Sequence, residues 1–341
     1  MKIVGIGDLF IPAKYIAQGF EPMRAAGHEV TVMDWPLNSF DELQAINLKV
    51  EQNGADAYEP PQVVFDLAKS ADIFVTQFCP VTKNLVETMP KLKAVGVLRA
   101  GTENINRACL SERGIIVINT PGRNAECVSD FTIGMMIAEA RNIARGHHGL
   151  MTGKWIRDYS NNGEIPDLNS RTVGIIGLGA IGKLVARKLS GFQMRLIGYD
   201  PYADQEECAA MGIELVSLET LLQEADFVTL HARLTEENRH MIGPDQFTMM
   251  KRTAYLINTS RAGLIDENAL VNALAAKRIA GAALDVYEEE PPKPGNRLLS
   301  LDNVTLTPHM AGGSNDAFFN TPKLLCKRMT DWLKTQYPHC L

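Results

Sequence analysis

Thr172-Val-Gly-Ile-Ile-Gly177-Leu-Gly179-Ala-Ile-Gly182 is an apolar run that breaks into a glycine-spaced turn and then a helix-forming stretch. A second apolar run, Arg195-Leu-Ile-Gly-Tyr-Asp200, follows and ends on a carboxylate. Strand, turn, helix, strand and acid in that order form the arrangement that grips a dinucleotide. Gly177 permits the tight turn, Gly179 lets a pyrophosphate approach the backbone, and Gly182 lets helix pack on strand. Ala180 and Ile181 open the helix, whose first N–H groups have no partner within it and suit phosphate. Asp200 would accept hydrogen bonds from the adenosine ribose and repel a 2′-phosphate, so NAD is expected in preference to NADP. Val4-Gly-Ile-Gly-Asp-Leu-Phe10 begins in the same way but carries Phe10 where the third glycine belongs. It reads as an ordinary first strand and turn.

The surrounding chain is of 341 residues, enough for two domains with separate cores. Apolar residues make up 45% and charged residues 22%, the balance of a globular protein, and a net charge of −6 argues against a nucleic-acid surface. Cysteines 79, 109, 127, 208, 326 and 340 lack paired or metal-like spacing, which suits a reduced cytoplasmic enzyme with no metal. Asp8 cuts the first apolar run before a signal peptide could form, and no stretch is long and apolar enough for a membrane span.

Strand-like runs alternate with amphipathic segments, the pattern of parallel sheets in an α/β protein. Strands are predicted near 2–7, 29–34, 72–77, 94–99 and 115–119, then near 172–177, 195–199, 213–216, 226–231, 254–258, 280–285 and 303–307. Helical segments are expected at 82–92 and 314–335, with one long helix from about 124 to 150. That long helix is apolar over more than one stripe, which points to a subunit interface. The stretch from Trp35 to Pro61 is less regular and reads as an insertion or long connection, and 155–171 as a surface loop. Glu288-Glu-Glu-Pro-Pro-Lys-Pro-Gly295 reads as a charged loop, since neither helix nor central strand tolerates it.

Three patterns lie beyond the glycine turn, each at the C-terminal end of a predicted strand, where parallel sheets bind ligands. They are Ile257-Asn-Thr-Ser-Arg261-Ala-Gly, Gly281-Ala-Ala-Leu-Asp285-Val-Tyr-Glu-Glu-Glu290-Pro-Pro and Leu306-Thr-Pro-His309-Met-Ala-Gly-Gly. Hydride transfer between a dinucleotide and a carbonyl needs a proton donor for the carbonyl oxygen and, where the substrate is an acid, a cation to hold its carboxylate. Arg261 carries a planar fork that matches a carboxylate and the adjacent oxygen. His309 can deliver and reclaim a proton near neutral pH. A carboxylate on its imidazole would favour the protonated ring and fix its tautomer; three consecutive glutamates leave the choice open on chemistry alone.

In this order the motifs resemble the D-2-hydroxyacid dehydrogenase family, which includes phosphoglycerate, glycerate and D-lactate dehydrogenases. The resemblance runs from about Leu92 to Ala317 and takes in Val97-Leu-Arg-Ala-Gly-Thr-Glu-Asn-Ile-Asn106, similar to the family's substrate loop, and Asn124 to Arg141, similar to its interface helix. It selects Glu290, five residues after Asp285 and directly before proline, as the partner of His309, leaving Glu288 and Glu289 as solvated charges. It implies two Rossmann-like domains with parallel sheets, one flavodoxin-like and one NAD-binding, the nucleotide domain (121–310) inserted into an outer substrate domain (1–120 and 311–341). It further implies carboxylate-binding N–H groups at Ala100 and Gly101, cofactor contacts at Thr102, Ala180, Ile181, Ala232, Thr259, Ser260 and the Ala311–Gly312 backbone, and a carboxamide contact at Asp285. A homodimer through the 124–150 region and a small 2-keto or 2-hydroxy acid substrate are expected, with no nucleic acid and no membrane. Phe78, Cys79, Arg99, Glu103 and Trp155 are candidates for the cleft lining. His231 is read as a strand-end residue without a chemical role, and His147 and His148 as solvent or interface residues. Glu103, Asn106 and Asp130 depart from the common pattern; none touches the triad, so they bear on substrate identity, and Arg233 stands where relatives more often carry Pro. An NAD-sensing binding protein, like the corepressor relatives on this fold, is the competing reading. A formate-type dehydrogenase is disfavoured because those carry Gln at the place of Glu290.

Overall fold

The computed structural model describes residues 1–336, and in it alternating strands and helices divide into two units. Residues 1–123 with the chain from Ser314 form the first; Asn124–Gly313 form the second. The first carries β1 (Lys2–Gly7), β2 (Glu29–Asp34), β3 (Ile73–Thr76), β4 (Ala94–Val97) and β5 (Ile116–Asn119), all parallel, in the order β2-β1-β3-β4-β5. This is the flavodoxin-like winding. The second carries β6 (Thr172–Ile176), β7 (Arg195–Tyr199), β8 (Ile213–Leu215), β9 (Phe227–Leu230), β10 (Tyr255–Asn258), β11 (Gly281–Leu284) and β12 (Val304–Leu306), also parallel. Their order, β12-β11-β10-β9-β6-β7-β8, is the Rossmann winding with one added strand. The central strands are buried along their whole length, as expected where helices cover both faces. Among the described residues no helix is long and apolar enough to cross a membrane.

Three expectations need correction. The stretch from Trp35 to Pro61 is no irregular insertion: it holds the helix Phe40–Asn53, capped by Ser39, whose side chain accepts from the N–H of Glu42. Leu43, Ile46 and Val50 recur at helical spacing and are buried against β1 and β3 side chains. The long helix is two helices, Ala125–Ala140 and Ile143–Met151, parted at Asn142, which takes the left-handed conformation with φ of 59°. Asn tolerates that backbone better than most residues. The helical segment near 82–92 shrinks to Lys83–Glu87 and ends at Thr88, before Pro90. The 155–171 loop is mostly exposed, yet Asn161 is buried and donates to the carbonyl of Ala140 and to the hydroxyl of Tyr255. The five described cysteines are free thiols; Cys340 lies outside the described residues.

The first turn after β1 differs from a nucleotide turn for a physical reason. Asp8 is buried, and its Oδ1 accepts from the N–H groups of Phe10 and Ile11 at 2.9 and 3.0 Å. The turn supplies its own anion, so its amides are already satisfied.

Candidate active site

The second glycine turn leads into a helix whose first amides have no side-chain cap. Gly177 follows β6 with φ of 91°, and a Cβ there would overlap the backbone nitrogen of Ala232. A Cβ on Gly182 would overlap the carbonyl oxygen of Gly177. At Gly179 an added Cβ would meet nothing within 4 Å. The helix Ala180–Leu189 starts at Gly179 with no side-chain cap, so its first N–H groups face open space. Gly179 and Ala180 are exposed and Ile181 is half-buried. These residues fit a pyrophosphate, which needs close backbone approach and unpaired donors. Asp200, just past β7, is half-buried; its Oδ2 accepts from the N–H of Leu178 at 2.8 Å and its Oδ1 from that of Tyr202 at 2.9 Å. The acid is thereby tied to the turn it would serve.

β10, β11 and β12 are neighbouring parallel strands, so their C-terminal ends share one edge of the sheet. Arg261, Glu290 and His309 lie on the segments that leave those three ends. Glu290 reaches His309: its Oε2 is 2.7 Å from Nδ1, while Oε1 accepts from the N–H of Tyr287 at 3.0 Å. An ionised carboxylate can only accept, so Nδ1 carries the proton and Nε2 is the free face of the ring. The His309 side chain is 51% exposed, which leaves Nε2 reachable. Of the neighbouring glutamates, Glu288 faces His240 at 3.5 Å and Glu289 pairs with Lys293 at 2.6 Å.

His309 itself has a left-handed backbone, with φ of 49°. Asp285, wholly buried, holds that bend: Oδ1 accepts from Thr307 Oγ1 at 2.6 Å and the N–H of Met310 at 2.9 Å, and Oδ2 from the N–H of Ala311 at 2.8 Å. Both oxygens of Asp285 therefore already serve the loop that presents the imidazole. Arg261 is exposed, with Nη1 donating to the carbonyl of Ser260 at 2.7 Å. Its own carbonyl accepts from buried Asn258 Nδ2, and Asn258 Oδ1 accepts from the N–H and hydroxyl of Ser260. Asn258, a positioning residue the sequence reading passed over, stood in the quoted motif as the last residue of a predicted strand.

Ala232 is half-buried, and Thr259, buried, shares a hydrogen bond with Thr132 at 2.7 Å. A Cβ on Gly312 would press on Asn124. His231 sits with Nε2 at 3.0 Å from Thr229 Oγ1 and Nδ1 buried without a partner; burial pushes it down to about 3, so the ring is neutral. His147 and His148 are exposed.

In the first unit, the segment after β4 carries Ala100, exposed, and Gly101 and Thr102, both half-buried. The carbonyl of Ala100 accepts from Asn119 Nδ2, and Thr102 Oγ1 from Arg107 at 3.4 Å. Cys79 lines no surface: it is buried in the core of that unit, and burial pushes its thiol up. Trp155, in the second unit, is largely exposed. Among the departures, Glu103 lies 3.2 Å from Arg99, Asn106 is the cap that accepts from the N–H of Cys109, and Asp130 is the partner of Lys188 at 2.7 Å.

Residues 133–311 match the model of the NAD binding domain of D-isomer specific 2-hydroxyacid dehydrogenases. The chain is 44% identical over 251 residues to a D-3-phosphoglycerate dehydrogenase of Methanocaldococcus jannaschii, a match covering 73% of this chain and 47% of that protein. It is 38% identical over 283 residues to a glyoxylate reductase of Korarchaeum cryptofilum, covering 82% and 85%. The chain thus spans about half the length of the phosphoglycerate dehydrogenases it matches. Among solved structures, a D-lactate dehydrogenase from Treponema pallidum superposes with a TM-score of 0.77 at 25% identity, over 98% of this chain and 97% of that one.

Proposed function

The chain belongs to the D-isomer-specific 2-hydroxyacid dehydrogenase family, and we propose that it interconverts a 2-keto acid and a D-2-hydroxy acid with NAD(H). The observation that carries this reading is the bond between His309 Nδ1 and Glu290 Oε2, at the sheet edge that also carries the glycine turn and Arg261. When bound, NADH would supply the hydride. Arg261 would pair its guanidinium with the substrate carboxylate and the carbonyl oxygen, polarising the ketone. His309 would give its Nε2 proton to that oxygen as the hydride arrives at carbon, and take it back in the oxidative direction. Glu290 would hold Nδ1–H and stabilise the protonated ring before transfer.

The same reading assigns carboxylate-binding N–H groups to Ala100 and Gly101, and cofactor contacts to Thr102, Gly177, Gly179, Ala180, Ile181, Gly182, Ala232, Thr259, Ser260, Asp285 and Gly312. Asp200 supports a preference for NADH over NADPH. The unit built on β1–β5 is taken as the substrate domain and that on β6–β12 as the nucleotide domain. A homodimer is proposed through the 124–150 region, where Ile143 and Leu150 are exposed and are followed in sequence by exposed Met151, Trp155 and Ile156. Free thiols accord with a cytoplasmic location.

The test is the loss of NADH absorbance across a panel of 2-keto acids, with NADPH in parallel. Turnover with NADH on at least one acid is expected, and Arg261→Ala should lower kcat/KM by about 1,000-fold. Tight NADH binding with no turnover on any acid would replace the enzyme by an NAD-sensing binding protein.

A further inference from the structure

Arg99, on the segment that leaves β4, is not a free cation. Its Nη1 donates to Asn47 Oδ1 at 3.1 Å and its Nη2 to Glu51 Oε1 at 2.9 Å, both from the helix Phe40–Asn53. The same Nη2 lies 3.2 Å from Glu103 Oε2, and the guanidinium stacks over the ring of Phe78, 4.9 Å from its centroid. Only 15% of the Arg99 side chain remains exposed. Glu103 reaches further: its carboxylate occupies the place that a Cβ on Gly101 would take. A fixed negative charge therefore stands on the face of the backbone segment assigned to the substrate carboxylate. One arginine shared by two carboxylates leaves this cluster with a net negative charge. Arg107, which reaches Thr102 at 3.4 Å, is a further cation close to the segment, and it is exposed and open to solvent screening.

We propose that Glu103 and Glu51, acting through Arg99, make the loop a charge filter that admits 2-keto acids with a small uncharged tail and rejects phosphorylated ones. The proposal rests on the assignment of the Ala100–Gly101 amides to the substrate carboxylate. A phosphoryl group brings about −1.5 to −2 further charges at neutral pH. It would need a free guanidinium, and Arg99 has both nitrogens of its fork engaged. A hydroxymethyl tail or a hydrogen asks for no such partner. Specificity here comes from a repulsive element as much as from contacts to the favoured substrate.

The experiment compares hydroxypyruvate with its 3-phosphate ester as substrates with NADH, for the unaltered protein, Glu103→Gln and Glu51→Gln. The unaltered protein should prefer hydroxypyruvate by about 100-fold in kcat/KM, and each variant should narrow that ratio by about tenfold, with the narrowing shrinking as salt is raised. Equal use of the two acids, or a ratio that neither variant moves, overturns the filter. If neither acid turns over, the catalytic reading is judged on the wider panel of 2-keto acids, and calorimetric binding of the same two acids to the NADH-loaded protein decides the filter by itself. Preference for hydroxypyruvate that weakens in the variants sustains it; equal binding, or no binding of either acid, overturns it.

Discussion

Glu290 grips His309 from one side only: Oε2 takes Nδ1 at 2.7 Å, while Oε1 is spent on the backbone N–H of Tyr287. The carboxylate is thus fixed before the imidazole meets it, and the ring has one tautomer to offer. Glu290→Gln keeps the size and can keep the Tyr287 bond, but removes the charge opposite the protonated ring. We expect kcat to fall about 100-fold with little change in NADH affinity. Steady-state kinetics alongside fluorescence titration of NADH check this, and equal losses in both would place Glu290 in folding instead of proton transfer.

Asp200 does two things that a substitution can separate. Its Oδ2 closes the glycine turn through the N–H of Leu178, and its charge confronts any 2′-phosphate. Asp200→Asn can retain the turn contact while removing the charge. Discrimination between NADH and NADPH should drop by about tenfold, ~1.4 kcal/mol, through both weaker NADH and improved NADPH use. An unchanged ratio would remove Asp200 from cofactor selection.

The parts legible in the sequence were those whose chemistry is local. Gly177 and Gly182 announce themselves because a Cβ at either would strike backbone, and Arg261 and His309 because each follows a strand that ends on a parallel sheet's ligand edge. What stayed hidden depends on partners distant in the chain. Nothing around Asp285 foretells that its oxygens hold Met310 and Ala311, nor that Glu139 awaits Arg145 and Thr305. The helix Phe40–Asn53 was missed for another reason. Its apolar residues Leu43, Ile46 and Val50 are diluted by Asn47 and Glu51, polar side chains turned toward Arg99. The break at Asn142 is not legible locally either, since the partner of its side chain, Asn161, is nineteen residues away.

Glu139 is a buried carboxylate in the middle of a polar knot, and burial pushes its protonation upward against the pull of Arg145. Arg145 Nη1 and Nη2 reach its oxygens at 2.9 and 3.1 Å, Thr305 Oγ1 donates at 2.7 Å, and a Cβ on Gly281 would overlap that carboxylate. Truncating one partner strands the other. Glu139→Ala should cost about 3–5 kcal/mol, whereas Glu139→Leu with Arg145→Leu should cost far less than the single change. Chemical denaturation of these proteins and of Glu139→Leu and Arg145→Leu singly tests this, and losses that add in the double variant would show that the two residues act independently.

Asp8 makes the sign of a pH effect explicit. Burial raises its carboxyl from 3.8 to about 6, against the backbone N–H groups of Ile11, Phe10 and Phe78 and the charge of Arg123, which pull the other way. Between those two values the folded protein holds a proton that the unfolded chain has released. The contribution of Asp8 is therefore most favourable below 3.8 and is lost as pH rises through about 6. At neutral pH the buried charge costs on the order of 2–3 kcal/mol, reduced by whatever water reaches Oδ2. Asp8→Asn can still accept from Phe10 and Ile11 but carries no charge to bury. It should melt higher than the unaltered protein at pH near 7 and lose that advantage near pH 4, the ordinary range of a free carboxyl. Melting curves at the two pH values decide the matter: an advantage that persists undiminished in acid would mean that it does not come from removing a buried charge.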